Sequence, residues 1–194
     1  MKKLLAIFTA ATLACGMVNA QKFTVIEGNL DFLKEVTELQ VSLTWDNTMM
    51  GEMTEEEYVN SKLPDKEDPE EFKRLWYEHD RAIALEKLGN SFSGSLRKRS
   101  RVEVNDVARY KFVFNIEKIE LGFAGVGIVS RGTLVDATIR VVDTTTDQVM
   151  AVIAVNDSKS NTMYVMEQTK ALIFDKLGNQ TGKWLVKKKY VMKK

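Results

Sequence analysis

Three runs of two-residue alternation crowd into the stretch from Tyr110 to Val155, and they constrain the fold more than any other feature. "ARYKFVFNIEKIELGF" sets Tyr110, Phe112, Phe114 and Ile116 two apart, with Ile119 beyond them. "GIVSRGTLVDATIRVVD" alternates through Leu134, Val135 or Ala137, Ile139 and Val141, and "QVMAVIAV" follows the turn "TTTD". A period of two with β-branched and aromatic residues is that of a strand with one buried face, and a short polar turn between two such runs makes a hairpin. A sheet of this kind needs a second layer over its apolar face.

Helical segments supply that layer. In "DPEEF", Asp68 caps, Pro69 suits the first helical position and Glu71 closes a capping box, with Phe72, Leu75, Trp76, His79 and Ile83 following at three- and four-residue steps. The pattern predicts one amphipathic helix over Pro69 to Leu88, stopped at Gly89-Asn90. Thr54 and Glu57 have the same box spacing, and "SFSGSLRKRSR" reads as a polar, basic connector. Near the end, Met163, Val165 or Met166, Thr169, Leu172, Ile173 and Leu177 keep a helical period that Gly178 breaks or weakens. Ahead of these lie a strand from Lys22 to Glu27, a helical turn at "LDFLKEV" and a strand through Leu39, Val41, Leu43 and Trp45. The order β-β-α-β-β-β-α predicts an α+β fold: one mixed, largely antiparallel sheet of about five strands with two main helices packed on one face, a single domain over residues 21–194.

The first twenty residues stand apart. Lys2 and Lys3 precede an apolar run from Leu4 to Ala14 that is too short to span a bilayer, and Val18, Asn19 and Ala20 form a signal-peptidase pattern before Gln21. Residues 1–20 therefore read as a signal peptide, and the protein as exported, periplasmic or secreted. Cys15 follows the apolar run, but the large aliphatic Leu13 stands one place too close to it for lipidation. No cysteine follows Cys15, so the exported chain forms no disulfide. Basic and acidic residues balance at 28 against 27, which predicts no global attraction to nucleic acid or to anionic membrane.

The glycine-rich "GFAGVGIVSRG" invites comparison with a phosphate loop. Such a loop sits between a strand and a helix, so that backbone N–H groups and a helix N-terminus face the anion. Here strand periodicity follows, so the segment reads as a bend between strands, with Phe123, Gly125, Gly127 and Arg131 as a candidate contact surface. His79, the only histidine, has no accompanying ligand set and reads as a packing residue at the core boundary, as do Trp45, Trp76 and Trp184. The carboxylates at Glu55, Glu56, Glu57, Asp65, Glu67, Asp68, Glu70 and Glu71 fit solvated helix starts, the alternative being a pair doing hydrolytic acid–base work in a cleft. No catalytic residue, cofactor or metal ligand is assigned. Arg97, Lys98, Arg99 and Arg101 form the densest charge cluster, with Lys187, Lys188 and Lys189 as a second; without interleaved aromatics they read first as a solvated loop and a helix end, the alternative being contact with phosphate, headgroups or an acidic protein.

Through "FTVIEGNLDFLKEVTELQVSLTWDNTMMGEMTEEEYV", "EEFKRLWYEHDR", "YKFVFNIEKIELGF" and "GVGIVSRGTLVDATIRVVDTTTDQVMAVIAV", the chain resembles a group of small exported bacterial envelope proteins without assigned function. More distantly, its element order is similar to the anticodon-binding-like domains of curli-export and penicillin-binding-protein-activator lipoproteins. The resemblance implies a periplasmic or envelope interaction domain and carries over no catalytic residue. The expected function is binding without catalysis, to an envelope protein, with peripheral membrane contact and the carboxylate hydrolase as alternatives.

Overall fold

A computed structural model describes residues 21–124, 130–160 and 166–194, with backbone only at 123–124, 130–131 and 166–170. The signal-peptide reading, Cys15, Gly125 and Gly127 lie outside the described residues. Along the chain come β1 (Lys22–Gly28), a 3₁₀ turn (Asp31–Glu35), β2 (Glu38–Thr44), β3 (Met49–Met50), β4 (Met53–Thr54), α1 (Glu55–Lys62) and α2 (Pro69–Arg74). After a π-helical turn (Leu75–Asp80) follow α3 (Arg81–Arg99), β5 (Glu103–Val104), β6 (Tyr110–Glu120), β7 (Phe123–Ala124), β8 (Ser130–Arg131), β9 (Leu134–Asp143), β10 (Gln148–Lys159) and α4 (Met166–Lys187).

The fold is α+β, and its main sheet runs β1-β10-β9-β6-β2-β5. Pairing is antiparallel from β1 to β6 and parallel from β6 through β2 to β5, while β3 continues the line of β2 along β6. The sheet has eight strands where the periodicity suggested about five. The excess lies in β3, β4 and β5, two residues each and too short to show any period.

Register explains the core. Val25, Ile153, Ile139, Phe114 and Leu43 line up across the sheet, flanked by the rows through Val155 and Ala137 and through Val141 and Phe112. Side chains in one cross-strand row share a face, and here that face meets both long helices. Phe92 of α3 packs 5.5 Å from Phe112 and 6.0 Å from Phe114, and Trp184 of α4 stacks 5.1 Å from Phe23.

Two helical expectations change. The segment from Pro69 is α-helical only to Arg74, then opens into the π turn, and α3 runs on through Gly89 and Asn90 to Arg99. The wider π turn shifts the phase of the helix. Leu75 and His79 therefore face solvent, while Ala84, Leu88, Phe92 and Leu96 carry the buried stripe. Asp68 caps the Glu71 N–H as expected, but the Glu71 carboxylate turns to a bidentate pair with Arg74 at 2.7 Å and leaves the box open. At Thr54 the box is complete.

The two long helices touch almost backbone to backbone. A Cβ on Gly178 would stand 2.2 Å from the Leu88 carbonyl oxygen, and one on Gly182 would stand 2.8 Å from Ser95 Cβ. Ser91 hydrogen-bonds Asp175, and Ser95 Oγ donates to the Asn179 carbonyl at 3.1 Å. These contacts advance together by four residues on each helix, so α3 and α4 run in the same sense and end at the same pole.

At the close of β9, the buried Asp143 carboxylate accepts from Arg109 Nε and Nη2 at 2.9 and 2.6 Å and from Thr145 N–H and Oγ1 at 3.0 and 2.6 Å. The Arg109 hydrogen bonds, followed by those of Thr145, hold its pKa well below the usual carboxylate range. A depressed folded-state pKa contributes stability that is present above the unfolded value, about 3.9, and is lost as the pH falls through the folded one.

Gly178→Ala is expected to destabilise by about 1–3 kcal/mol, since backbone and not a flexible side chain blocks the added methyl. Gly94→Ala, with nothing within 4 Å of its Cβ, should be neutral or stabilising; urea midpoints of the two variants check both. Asp143→Asn should be less stable than the native chain at neutral pH, with the gap closing below about pH 4. A gap that stays constant in acid would assign the stabilisation to something other than the carboxylate charge.

Candidate functional site

Chain direction assembles the site. Because α3 and α4 end together, Arg97, Lys98 and Arg99 in the last turn of α3 come to the same pole as Lys187, Lys188 and Lys189. Beyond α4 the chain folds back: Arg101 N–H donates to the Met192 carbonyl at 3.2 Å, Lys194 N–H donates to the Arg99 carbonyl at 3.3 Å, and Ser100 bridges Lys193. Ser100 is buried, its Oγ donating to the Leu96 carbonyl and accepting from Val102 N–H, and it pins the corner where the tail pairs. Val191 is buried beside the exposed Met192, so the tail is anchored by one apolar side chain and presents the other.

The predicted connector is therefore the end of a helix. Phe92 and Leu96 continue the stripe of Leu88 at four-residue steps, and Ser91 and Ser95 between them are small residues that bond across to α4. Arg97, Lys98, Arg99, Arg101, Lys187, Lys188, Lys189, Lys193 and Lys194 are all exposed, and residues 97–101 and 187–194 include no acid. Among the described residues none of the nine forms a salt bridge, and Arg99 Nη1 makes only long contacts, 3.3 Å, to Ser95. Two helix C-termini carry about one negative charge between them. Nine cations far exceed what that dipole charge needs.

Phe123 and Arg131 lie at the opposite end of β6. Phe123 pairs with Arg131 and Ala124 with Ser130 in the antiparallel β7–β8 ladder, so strand follows strand around the glycine-rich stretch. The eleven residues of β6 separate this hairpin from the basic pole by roughly 35 Å of strand. Arg97, Lys98, Arg99 and Arg101 come together with the C-terminal lysines; Phe123 and Arg131 do not join them.

A third cluster, missed in the sequence, sits at the π turn. Glu55 is buried and accepts from Trp76 Nε1 at 2.8 Å and from Arg81 Nη2 at 2.5 Å. The Arg81 guanidinium lies 5.4 Å from the Trp45 ring centre and 5.0 Å from that of Tyr77, and its Nε is buried without a hydrogen-bond partner. Burial, and then the Glu55 charge, pushes the Tyr77 phenol up. Asp80 lines the same cavity, which measures about 20 Å³, room for a water and not for a sugar. With both Glu55 oxygens engaged, this geometry supports a structural ion pair better than hydrolysis. Of the other carboxylates, Glu57 and Asp68 serve helix caps and Glu71 pairs with Arg74. Among the described residues no group of three His, Cys, Asp or Glu side chains is placed to hold a metal ion, and no helix is long and apolar enough to cross a membrane.

No family model and no curated protein matches the chain. Among solved structures it is similar to PelC dodecamers from Paraburkholderia phytofirmans: 12% identical over 82% of this chain and 94% of that one at a TM-score of 0.37, and 10% identical over 82% and 96% at 0.39. A neuraminyllactose-binding hemagglutinin homolog from Helicobacter pylori is 9% identical over 85% and 88% at 0.30.

Arg81→Met strands the Glu55 carboxylate in a buried site and is expected to cost about 2–4 kcal/mol. Adding Glu55→Gln should recover part of that loss. Strict additivity of the two in urea unfolding would show that the pair is not coupled.

Proposed function

We propose that the chain is an exported, non-enzymatic binding domain of the cell envelope that engages an anionic lipid surface through its basic pole. Export rests on the N-terminal pattern of Lys2, Lys3, the Leu4–Ala14 run and Val18-Asn19-Ala20. The observation that carries the binding reading is the convergence, on one pole, of cations that lie some ninety positions apart in the chain and, among the described residues, form no salt bridge. Near an anionic surface each Lys or Arg contributes about 1 kcal/mol, so half of the nine would give attachment of about millimolar strength and nearly all of them about micromolar. Met192, 51% exposed among these cations, adds apolar area of the kind that reinforces electrostatic attachment. Such attachment is screened at a Debye length of about 8 Å in physiological salt and weakens as salt rises.

The Gln21–Lys194 chain should sediment with vesicles containing anionic lipid and not with neutral ones, and should be released at about 0.5 M salt. Arg97→Ala with Lys98→Ala should weaken retention by at least tenfold. Equal retention on neutral vesicles, or indifference to these substitutions, would overturn the proposal. Selective retention by an acidic protein matrix would replace the lipid by a protein partner.

A further inference from the structure

Behind the basic pole a polar groove of about 220 Å³ runs between α3 and α4, lined by Asn90, Ser91, Gly94, Ser95, Lys98 and Arg99, with Asn179 across from them. That is many times the space one water needs, about 10–15 Å³. Ser91 and Ser95 already donate to Asp175 and to the Asn179 carbonyl, and the other polar groups are open to a ligand. Among the described residues the Asn90 and Asn179 side-chain amides and the Lys98 ammonium have no hydrogen-bond partner, and Arg99 has only its two long contacts to Ser95.

Gly94 is the second observation. A glycine inside a helix costs about 1 kcal/mol relative to alanine. Gly178 and Gly182 are explained by the backbone approach of the two helices, but a Cβ on Gly94 meets nothing within 4 Å. It has no packing reason to be glycine. What it does is leave one wall of the groove without a side chain.

Resting on the proposal that this pole holds anions, we infer that the groove is a headgroup site for a phosphorylated polyol. Adjacent ammonium and guanidinium groups suit a phosphate, with charge-assisted bonds outweighing the weak negative field of the two helix ends. The Asn90 and Asn179 amides, able to give and to take hydrogen bonds, suit the hydroxyls of the polyol, and the Ser91 and Ser95 oxygens, whose hydrogens are committed to Asp175 and to the Asn179 carbonyl, can accept from them. The lining contains no aromatic ring, which argues against a stacked base or sugar face.

The test compares vesicles of matched surface charge, one set with phosphoglycerol headgroups and the other with phosphatidic acid, which lacks the headgroup hydroxyls. The Gln21–Lys194 chain should bind the first set at least fivefold more tightly. Gly94→Leu should erase that preference while leaving salt-dependent binding to both sets, and Asn90→Ala, on an exposed side chain, should reduce it. Release by millimolar glycerol 1-phosphate would mean that the groove also accepts the soluble headgroup; no release with the preference intact would assign the site to lipid. A preference that is absent, or that survives Gly94→Leu, overturns the groove and leaves the pole standing, whereas loss of binding to every anionic vesicle overturns the pole.

Discussion

The contact of α3 with α4 through Gly178 and Gly182 is the constraint on which the rest of the molecule depends. At that separation Ser91 and Ser95 reach the neighbouring helix, and Leu88 and Phe92 sit between that helix and the sheet. Topology sets the sense of the pair: β2 and β6 are parallel neighbours, so the intervening α3 must return over the sheet, and α4 leaves β10 in the same direction. Both C-termini then fall at the end where β2 and β6 begin, and their basic last turns meet there. The pole is thus a result of chain direction as much as of composition.

Much of this was readable in advance. The long strands β1, β2, β6, β9 and β10 and their succession along the chain followed from alternation and turn chemistry, because each is long enough to express a period of two, whereas their places in the sheet did not. The capping box at Thr54 and the turn after Asp143 depend on neighbours in sequence and were equally visible. What failed was what depends on distant partners. Gly89 and Asn90 looked like a helix stop, yet tertiary burial of Leu88, Phe92 and Leu96 carries the helix through them. The π turn left no local signature and put His79 in solvent. The site was half legible: each basic cluster stood out by itself, but the return of Met192 to Lys194 against Arg99 and Arg101 is a backbone pairing that no periodicity reports.

The molecule separates its two kinds of charge. At one end Arg81 and Glu55 neutralise each other among Trp45, Trp76 and Tyr77, and their bonds tie the start of α1 to the start of α3. At the other end the cations are exposed and, among the described residues, form no salt bridge. Buried pairs of the first kind cost much when one partner is lost, whereas exposed charges of the second kind contribute little to folding and act at long range.

Anion binding at the shared end of the two helices, as proposed, would link recognition to folding. In the unfolded chain the two clusters are separate and each is weak; only the packed helix pair brings nine like charges together, and their mutual repulsion works against the contact at Gly178. An anion gathered at the pole relieves that repulsion and binds the folded state more tightly than the open one. By mass action such an occupant raises the melting temperature of the whole domain, so the strength of the helix pair is set partly by what lies outside it.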